Sequence, residues 1–252
     1  MSKNALIIGI RNEKSLSYEI AKELIKKNYS VYATYQDEST LKSVKEAADE
    51  LGIKAIYQYD ARKDSDLESF TDALKKSGVK LDVLVHGIAY SSTPGAKLNQ
   101  LLMNISGDEF TDAIRIGAFS LLEVIGKLYE NINENASILA LTSRWSRVAV
   151  PGFNVIGAAK ASLESIVRGL AEDLGRLKQI KVNALSSGPV STTALSSLGN
   201  SLSILEAVRT RSPLKRNVSK EDVASLAMAL IENNSISGTI YQIDTGLEIM
   251  GV

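Results

Sequence analysis

The sequence predicts an α/β domain built on a seven-stranded parallel sheet with helices on both faces. Two observations carry that prediction. Apolar runs of strand length alternate with stretches of helical period along the chain, with no repeat, low-complexity tract or linker between them. The 252 residues also fit one α/β domain, which can reach roughly 250 residues without splitting. Alternation of this kind implies right-handed crossovers, and hence parallel strands covered on both sides. The whole of 1–252 is therefore expected to be one unit.

The first apolar run, Ala5–Ile10, is too short for a signal h-region or a membrane span and reads as a buried strand. Gly9 lets the backbone turn off it, and Ser15 stands where a helix over Leu16–Lys27 would start. Strands follow near Ser30–Tyr35, Lys54–Tyr59 and Asp82–His86, alternating with helices near Thr40–Leu51, Asp64–Lys76 and Gly107–Tyr129. The second half gives strands near Ser137–Thr142, Lys181–Ser186 and Thr239–Ile243, with helices near Asn154–Gly175 and Lys220–Glu232. Between Pro189 and Pro213 a Ser/Thr/Leu-rich stretch breaks the rhythm. An insertion after a strand, at the sheet's carboxyl edge, predicts a substrate lid near 190–212; the competing reading is a short surface helix.

Lys and Arg (29) balance Asp and Glu (29), which argues against nucleic acid or an anionic membrane as partner. There is no cysteine and a single histidine, so neither a disulfide framework nor a metal site is expected. With no targeting segment in the sequence, the cytoplasm is the expected location. His86 ends an apolar strand and reads as a structural, hydrogen-bonded residue rather than a general base.

A parallel sheet binds ligands beyond the carboxyl ends of its strands, so residues just after each strand are the ones to inspect. After the first strand, Gly9-Ile10-Arg11-Asn12-Glu13-Lys14-Ser15-Leu16 has one glycine where the dinucleotide fingerprint has three. Locally, a pyrophosphate cradle at a helix N-terminus and an ordinary capped β–α turn remain equal alternatives. Later segments add Ala33-Thr34-Tyr35-Gln36, Tyr59-Asp60-Ala61, Val85-His86-Gly87-Ile88-Ala89, Lys160-Ala161-Ser162-Leu163-Glu164, Val182-Asn183-Ala184-Leu185-Ser186-Ser187-Gly188-Pro189-Val190 and Asp244-Thr245-Gly246.

In order and register, these segments resemble the bacterial enoyl-acyl-carrier-protein reductases that use NADH, a divergent branch of the short-chain dehydrogenase/reductase family. The resemblance covers nearly the whole chain and implies a single-domain Rossmann fold. It also implies cofactor contacts: Gly9, Ser15 and Leu16 at the pyrophosphate and adjoining ribose, Gln36 at the adenosine ribose, and Asp60 and Ala61 at the adenine. Gly87 and Ile88 would line the path to the nicotinamide, Lys160 would hold its ribose, and Val190, Thr192 and Ala194 would cover the carboxamide and pyrophosphate. Asp37 after Gln36 would repel a 2′-phosphate, which favours NADH and leaves NADPH open. The resemblance further implies an acyl-thioester or small-molecule substrate, an acyl carrier protein as its carrier, a role in fatty acid biosynthesis, and a homotetramer packed through the helices near Gly107–Tyr129 and Asn154–Gly175.

One departure stands out. The family's tyrosine belongs at Phe153, seven residues before Lys160, and a second belongs at Ser143. The commoner Y-x-x-x-K pattern would put a tyrosine at Ile156. A phenol donates a proton and a phenyl ring cannot. Losing one oxyanion donor typically costs about 10²–10³ in rate. Ser143 is the candidate substitute donor, and Tyr90, Ser91, Arg144 and Arg147 are candidate substrate contacts by position, with packing and solvated loop charge as the competing readings. The resemblance, with this departure, thus implies an NAD(P)H-dependent enoyl reductase with altered proton delivery. The alternatives are a cofactor-binding but inactive partner or sensor, and a reductase of a different carbonyl or conjugated substrate.

Overall fold

The structure, a computed structural model, describes residues 3–88, 101–150, 154–196 and 201–250. Seven strands form one sheet: β1 (Asn4–Ile8), β2 (Ser30–Tyr35), β3 (Ala55–Gln58), β4 (Leu81–His86), β5 (Ile132–Ser143), β6 (Lys181–Ser187) and β7 (Ile240–Ile243). Their spatial order is β3-β2-β1-β4-β5-β6-β7, and every pair is parallel. The order reverses between β1 and β4, so a crevice opens at their carboxyl ends.

The period-two alternation of the strands sends successive side chains to two separate cores. Ala5 and Ile7 of β1 and Leu139 and Leu141 of β5 pack with α1 (Leu16–Lys26), α2 (Glu38–Leu51) and α9 (Lys220–Glu232). Leu6, Ile8, Ile138 and Ala140 point the other way, against α3 (Asp64–Lys76), α5 (Ser120–Leu128) and α6 (Asn154–Lys178). Strand runs that are apolar at every position are what two covered faces require.

Most elements stop where short-range chemistry tells them to. Asp37 caps α2 by accepting from Ser39 N at 3.0 Å, and Gly52 ends that helix in the left-handed region. Ser219 and Asp222 form the capping box of α9. Three differences from the sequence reading have physical causes. β1 ends at Ile8 rather than Ile10, because Gly9 takes φ 96° and leaves the strand. The helix expected over Gly107–Tyr129 is divided into α4 (Gly107–Ile114), a π-helical turn at Arg115–Phe119, and α5. Gly117 in that turn presses on α6, where a Cβ would lie 3.0 Å from Ala159 Cβ. The stretch after β6 holds α7 (Thr193–Ser196) and α8 (Ser201–Arg211), anchored by buried Leu195 and Val208. No helix among the described residues is long and apolar enough to cross a membrane.

Candidate active site

The crevice at the switch point is closed underneath by two glycines. A Cβ on Gly9 would lie 2.8 Å from Gly87 O, and one on Gly87 would lie 2.2 Å from Ser17 Oγ. No larger residue fits this close approach of the β1 and β4 ends. Beyond Gly9 the turn is held by side chains where the dinucleotide fingerprint would use glycines. Ser15 Oγ donates to Asn12 O and accepts from Arg11 N and Asn12 N. Ser43 Oγ donates to Arg11 O at 2.8 Å, and Lys220 Nζ donates to Glu13 O at 2.8 Å. Ser15 occupies the N-cap position of α1 but makes no side-chain cap bond. The N-terminus of this 11-residue helix is therefore uncapped and faces the crevice, the local requirement for an anionic group.

On the adenosine side, Gln36 is exposed at the end of β2, and Asp37 is engaged as the α2 cap. Asp60 is buried and its carboxylate is gripped by the Arg62 fork, with Nε at 2.9 Å and Nη2 at 2.6 Å. Burial alone would raise its pKa, and the bonds to Arg62 outweigh that, holding the carboxyl below its ordinary value. Ala61 packs into the core beside it. Leu16 packs partly buried against the α1 core.

Lys160 reaches the crevice from the opposite side. It is buried, and its Nζ donates to Ile88 O at 3.1 Å and Leu141 O at 2.9 Å, stitching the ends of β4 and β5. Burial lowers its pKa to about 8, with the negative charge of Glu164 opposing the shift. One proton of the ammonium remains beyond these two bonds. His86 is buried, and its Nε2 lies 2.8 Å from Ser120 Oγ. Ser120 donates its own proton to Ile116 O, so Nε2 carries the hydrogen and the imidazole is neutral. Burial, then the charge on Lys160, pushes its pKa down to about 3. This is a packing histidine, as the apolar strand around it indicated.

At the carboxyl end of β5, Ser143 Oγ is buried with no hydrogen-bond partner among the described residues. The turn that follows is fastened by a residue the sequence reading did not single out. Buried Glu164, one helical turn after Lys160, accepts from Thr142 Oγ1 at 2.8 Å and Ser146 Oγ at 2.6 Å. Gly157 lets α6 approach this turn, where a Cβ would lie 2.5 Å from Trp145 O.

Arg144 and Arg147 are neither plain solvated charges nor free anion hooks. Both face Glu248: Arg144 Nε is 3.4 Å away and Arg147 Nη2 is 3.8 Å away, and Arg147 also donates to Gln242 Oε1. The carboxylate they share lies about a hundred residues on in the chain, so no local signal reveals it. On the β6 side, Val190 is buried in the α1/α9 core, Thr192 Oγ1 accepts from Leu195 N at 3.2 Å to cap α7, and Ala194 is exposed. Phe153, Tyr90 and Ser91 lie outside the described residues. No group of acidic or histidine side chains suited to a metal ion occurs among the described residues.

A parallel sheet of this order, with a glycine-floored crevice and an uncapped helix N-terminus at its switch point, defines a Rossmann-type α/β protein. Its relatives narrow the class. A profile described as enoyl-(acyl carrier protein) reductase matches residues 9–248. The enoyl-[acyl-carrier-protein] reductase [NADH] of Rickettsia felis is 34% identical over 251 residues, covering 99% of this chain and 95% of that protein. The crystal structure of the corresponding NADH reductase from Aquifex aeolicus superposes with a TM-score of 0.92 at 32% identity, covering 99% of this chain and 98% of that one. The reductase of Anaplasma phagocytophilum, solved in complex with NAD, gives 0.89 at 30% identity, covering 99% and 93%. The chain belongs to the enoyl-(acyl carrier protein) reductase family.

Proposed function

We propose that this protein is an NADH-dependent reductase of enoyl thioesters, acting on an acyl-carrier-protein-borne chain. The observation that carries the reading is the placing of Lys160 beside the glycine-floored crevice, its Nζ donating to the carbonyl of Ile88, the residue after Gly87, at the switch point of a family-typical sheet. The residues present fit a dinucleotide. The uncapped α1 N-terminus and Gly9 suit a pyrophosphate, Ser15 and Leu16 adjoin it, and Gln36, Asp60 and Ala61 surround the adenosine end. The carboxylate of Asp37 beside Gln36 favours a plain ribose over a 2′-phosphate. Gly87, Ile88, Val190, Thr192 and Ala194 border the nicotinamide end. When bound, NADH supplies a hydride for the β-carbon of the enoyl thioester.

The chain's own contribution is binding and charge stabilisation. The remaining proton of Lys160 Nζ is directed at the ribose hydroxyls. Reduction at the β-carbon places negative charge on the thioester oxygen, and a donor must meet it. Phe153 has no proton to give, so the unpartnered hydroxyl of Ser143 is the donor for that oxygen. A serine hydroxyl stabilises an oxyanion without fully protonating it, which suits a conjugated thioester better than an isolated carbonyl, whose alkoxide requires a nearby acid. The segment carrying α7 and α8 acts as the lid over the substrate. A homotetramer is the assembly, supported by Phe110 and Phe119, which stand exposed along the α4–α5 segment.

Steady-state oxidation of NADH with crotonyl and longer enoyl thioesters tests the reading. Turnover above background is expected, falling about 10²-fold in Ser143→Ala, the usual cost of one oxyanion donor. No turnover with any chain length would overturn it.

A further inference from the structure

The two segments that border the pyrophosphate in this reading, the turn after β1 and the start of α7, are joined by a side-chain pair. Asn12 Nδ2 donates to Thr193 Oγ1 at 2.9 Å, and the Thr193 hydroxyl lies 3.2 Å from Asn12 Oδ1 in the reverse sense. The orientation of the amide is fixed from within the turn. Lys14 N donates to Asn12 Oδ1 at 3.0 Å, which requires the oxygen there and leaves the NH₂ for Thr193. Asn12 is also the hub of its own turn, its carbonyl accepting from Ser15 N at 3.1 Å and from Ser15 Oγ. Its counterpart is set just as firmly: Thr193 opens α7, which Thr192 caps and buried Leu195 anchors.

We infer that Asn12 and Thr193 are a positioning pair that sets the gap between the two walls of the pyrophosphate site and so tunes dinucleotide affinity. Gly9, Ser15 and Leu16 lie on one wall, Val190, Thr192 and Ala194 on the other, and the pair spans 181 residues of sequence to tie them. A turn with one glycine in place of three cannot rely on close backbone packing alone to hold its shape. Ser43 and Lys220 brace it from α2 and α9, while Asn12 braces it toward the lid. The inference rests on the dinucleotide reading above.

Threonine and valine share a shape, so Thr193→Val removes the hydrogen bonds with little change in packing, and Thr193→Ser restores them. NADH binding by titration calorimetry is expected to weaken about 3- to 10-fold in Thr193→Val, the usual range for one or two partly exposed hydrogen bonds, and to recover in Thr193→Ser. In steady state the loss should fall on KM for NADH and spare kcat. Asn12→Ala combined with Thr193→Val should be no weaker than Asn12→Ala alone. Without any cofactor, hydrogen exchange across Thr193–Ser196 should quicken in Thr193→Val and not in Thr193→Ser. Unchanged affinity and exchange in Thr193→Val, or fully additive losses in the double variant, overturn the pair's role. A wild-type chain that binds neither NADH nor NADPH overturns the dinucleotide reading instead, and the exchange experiment still decides whether the pair holds the lid.

Discussion

Three residues at the crevice show how differently single positions reveal themselves. Lys160 is legible as a position, because Lys160-Ala161-Ser162-Leu163-Glu164 resembles the family's segment closely. Ser143 is legible as a position but not as a chemical state, since whether its hydroxyl finds a partner among the described residues depends on what surrounds it in space. Glu164 was not legible as a fastener: its bonds to Thr142 and Ser146 form only once α6 lies against the end of β5. His86 yields a pH prediction. Its folded pKa of about 3 lies below the ordinary 6.5, so between those values the unfolded chain binds the proton that the folded chain refuses. Its contribution is unchanged above pH 6.5 and becomes destabilising as pH falls through that window, by about 2 kcal/mol at pH 5. In urea denaturation, His86→Gln, which keeps a donor toward Ser120, should shrink the stability lost between pH 7 and pH 5 by about that amount. An unchanged loss would mean that His86 is not buried in its neutral form.

At the scale of elements, boundaries set by backbone chemistry were the least visible. The strand pattern overran β1 by two residues, since hydrophobic Ile10 continues the run and only the φ of Gly9 stops it. Periodicity also joined α4 to α5, because one extra residue in a π turn leaves the apolar spacing nearly intact. The apolar stretch Leu121-Leu122-Val124-Ile125, equally suited to an interface or a core, is resolved by burial: Leu121, Val124 and Ile125 belong to the interior of the subunit. The region after β6, where the sequence left a lid and a short surface helix as alternatives, holds helices anchored by buried Leu195 and Val208. The floor of the crevice is the element most exposed to mutation. Gly9→Ala must hold an L-residue at positive φ and push against Gly87 O, and is expected to cost about 1–3 kcal/mol or more. Chemical denaturation measures that cost directly; a change within error of zero would show that the two strand ends can separate freely.

At the scale of the whole molecule, the sequence revealed most. Seven strands, their parallel direction and helices on both faces follow from alternation and chain length, since an apolar strand buried on both sides leaves a strong signal. The strand order, and with it the place of the crevice, is seen only in the structure, because right-handed crossovers are compatible with more than one order. What the sequence could not convey is which distant groups meet: Glu248 with Arg144 and Arg147, and Thr193 with Asn12. These contacts decide which charged side chains are available to a ligand. Lys160 keeps a proton beyond its two backbone bonds, Ser143 Oγ has no partner among the described residues, and the two arginines share the one carboxylate of Glu248. In the proposed function, hydride reaches an enoyl thioester in a chain whose sequence has Phe153 at the position of the family's phenol. The most direct measurement is the fate of deuterium from NADH labelled with two deuterons at C4, incubated with the protein and a crotonyl thioester. A butyryl product carrying one deuteron, at its β-carbon, is the predicted result; NADH that binds while the thioester is recovered unreduced, or product with deuterium elsewhere, would contradict it.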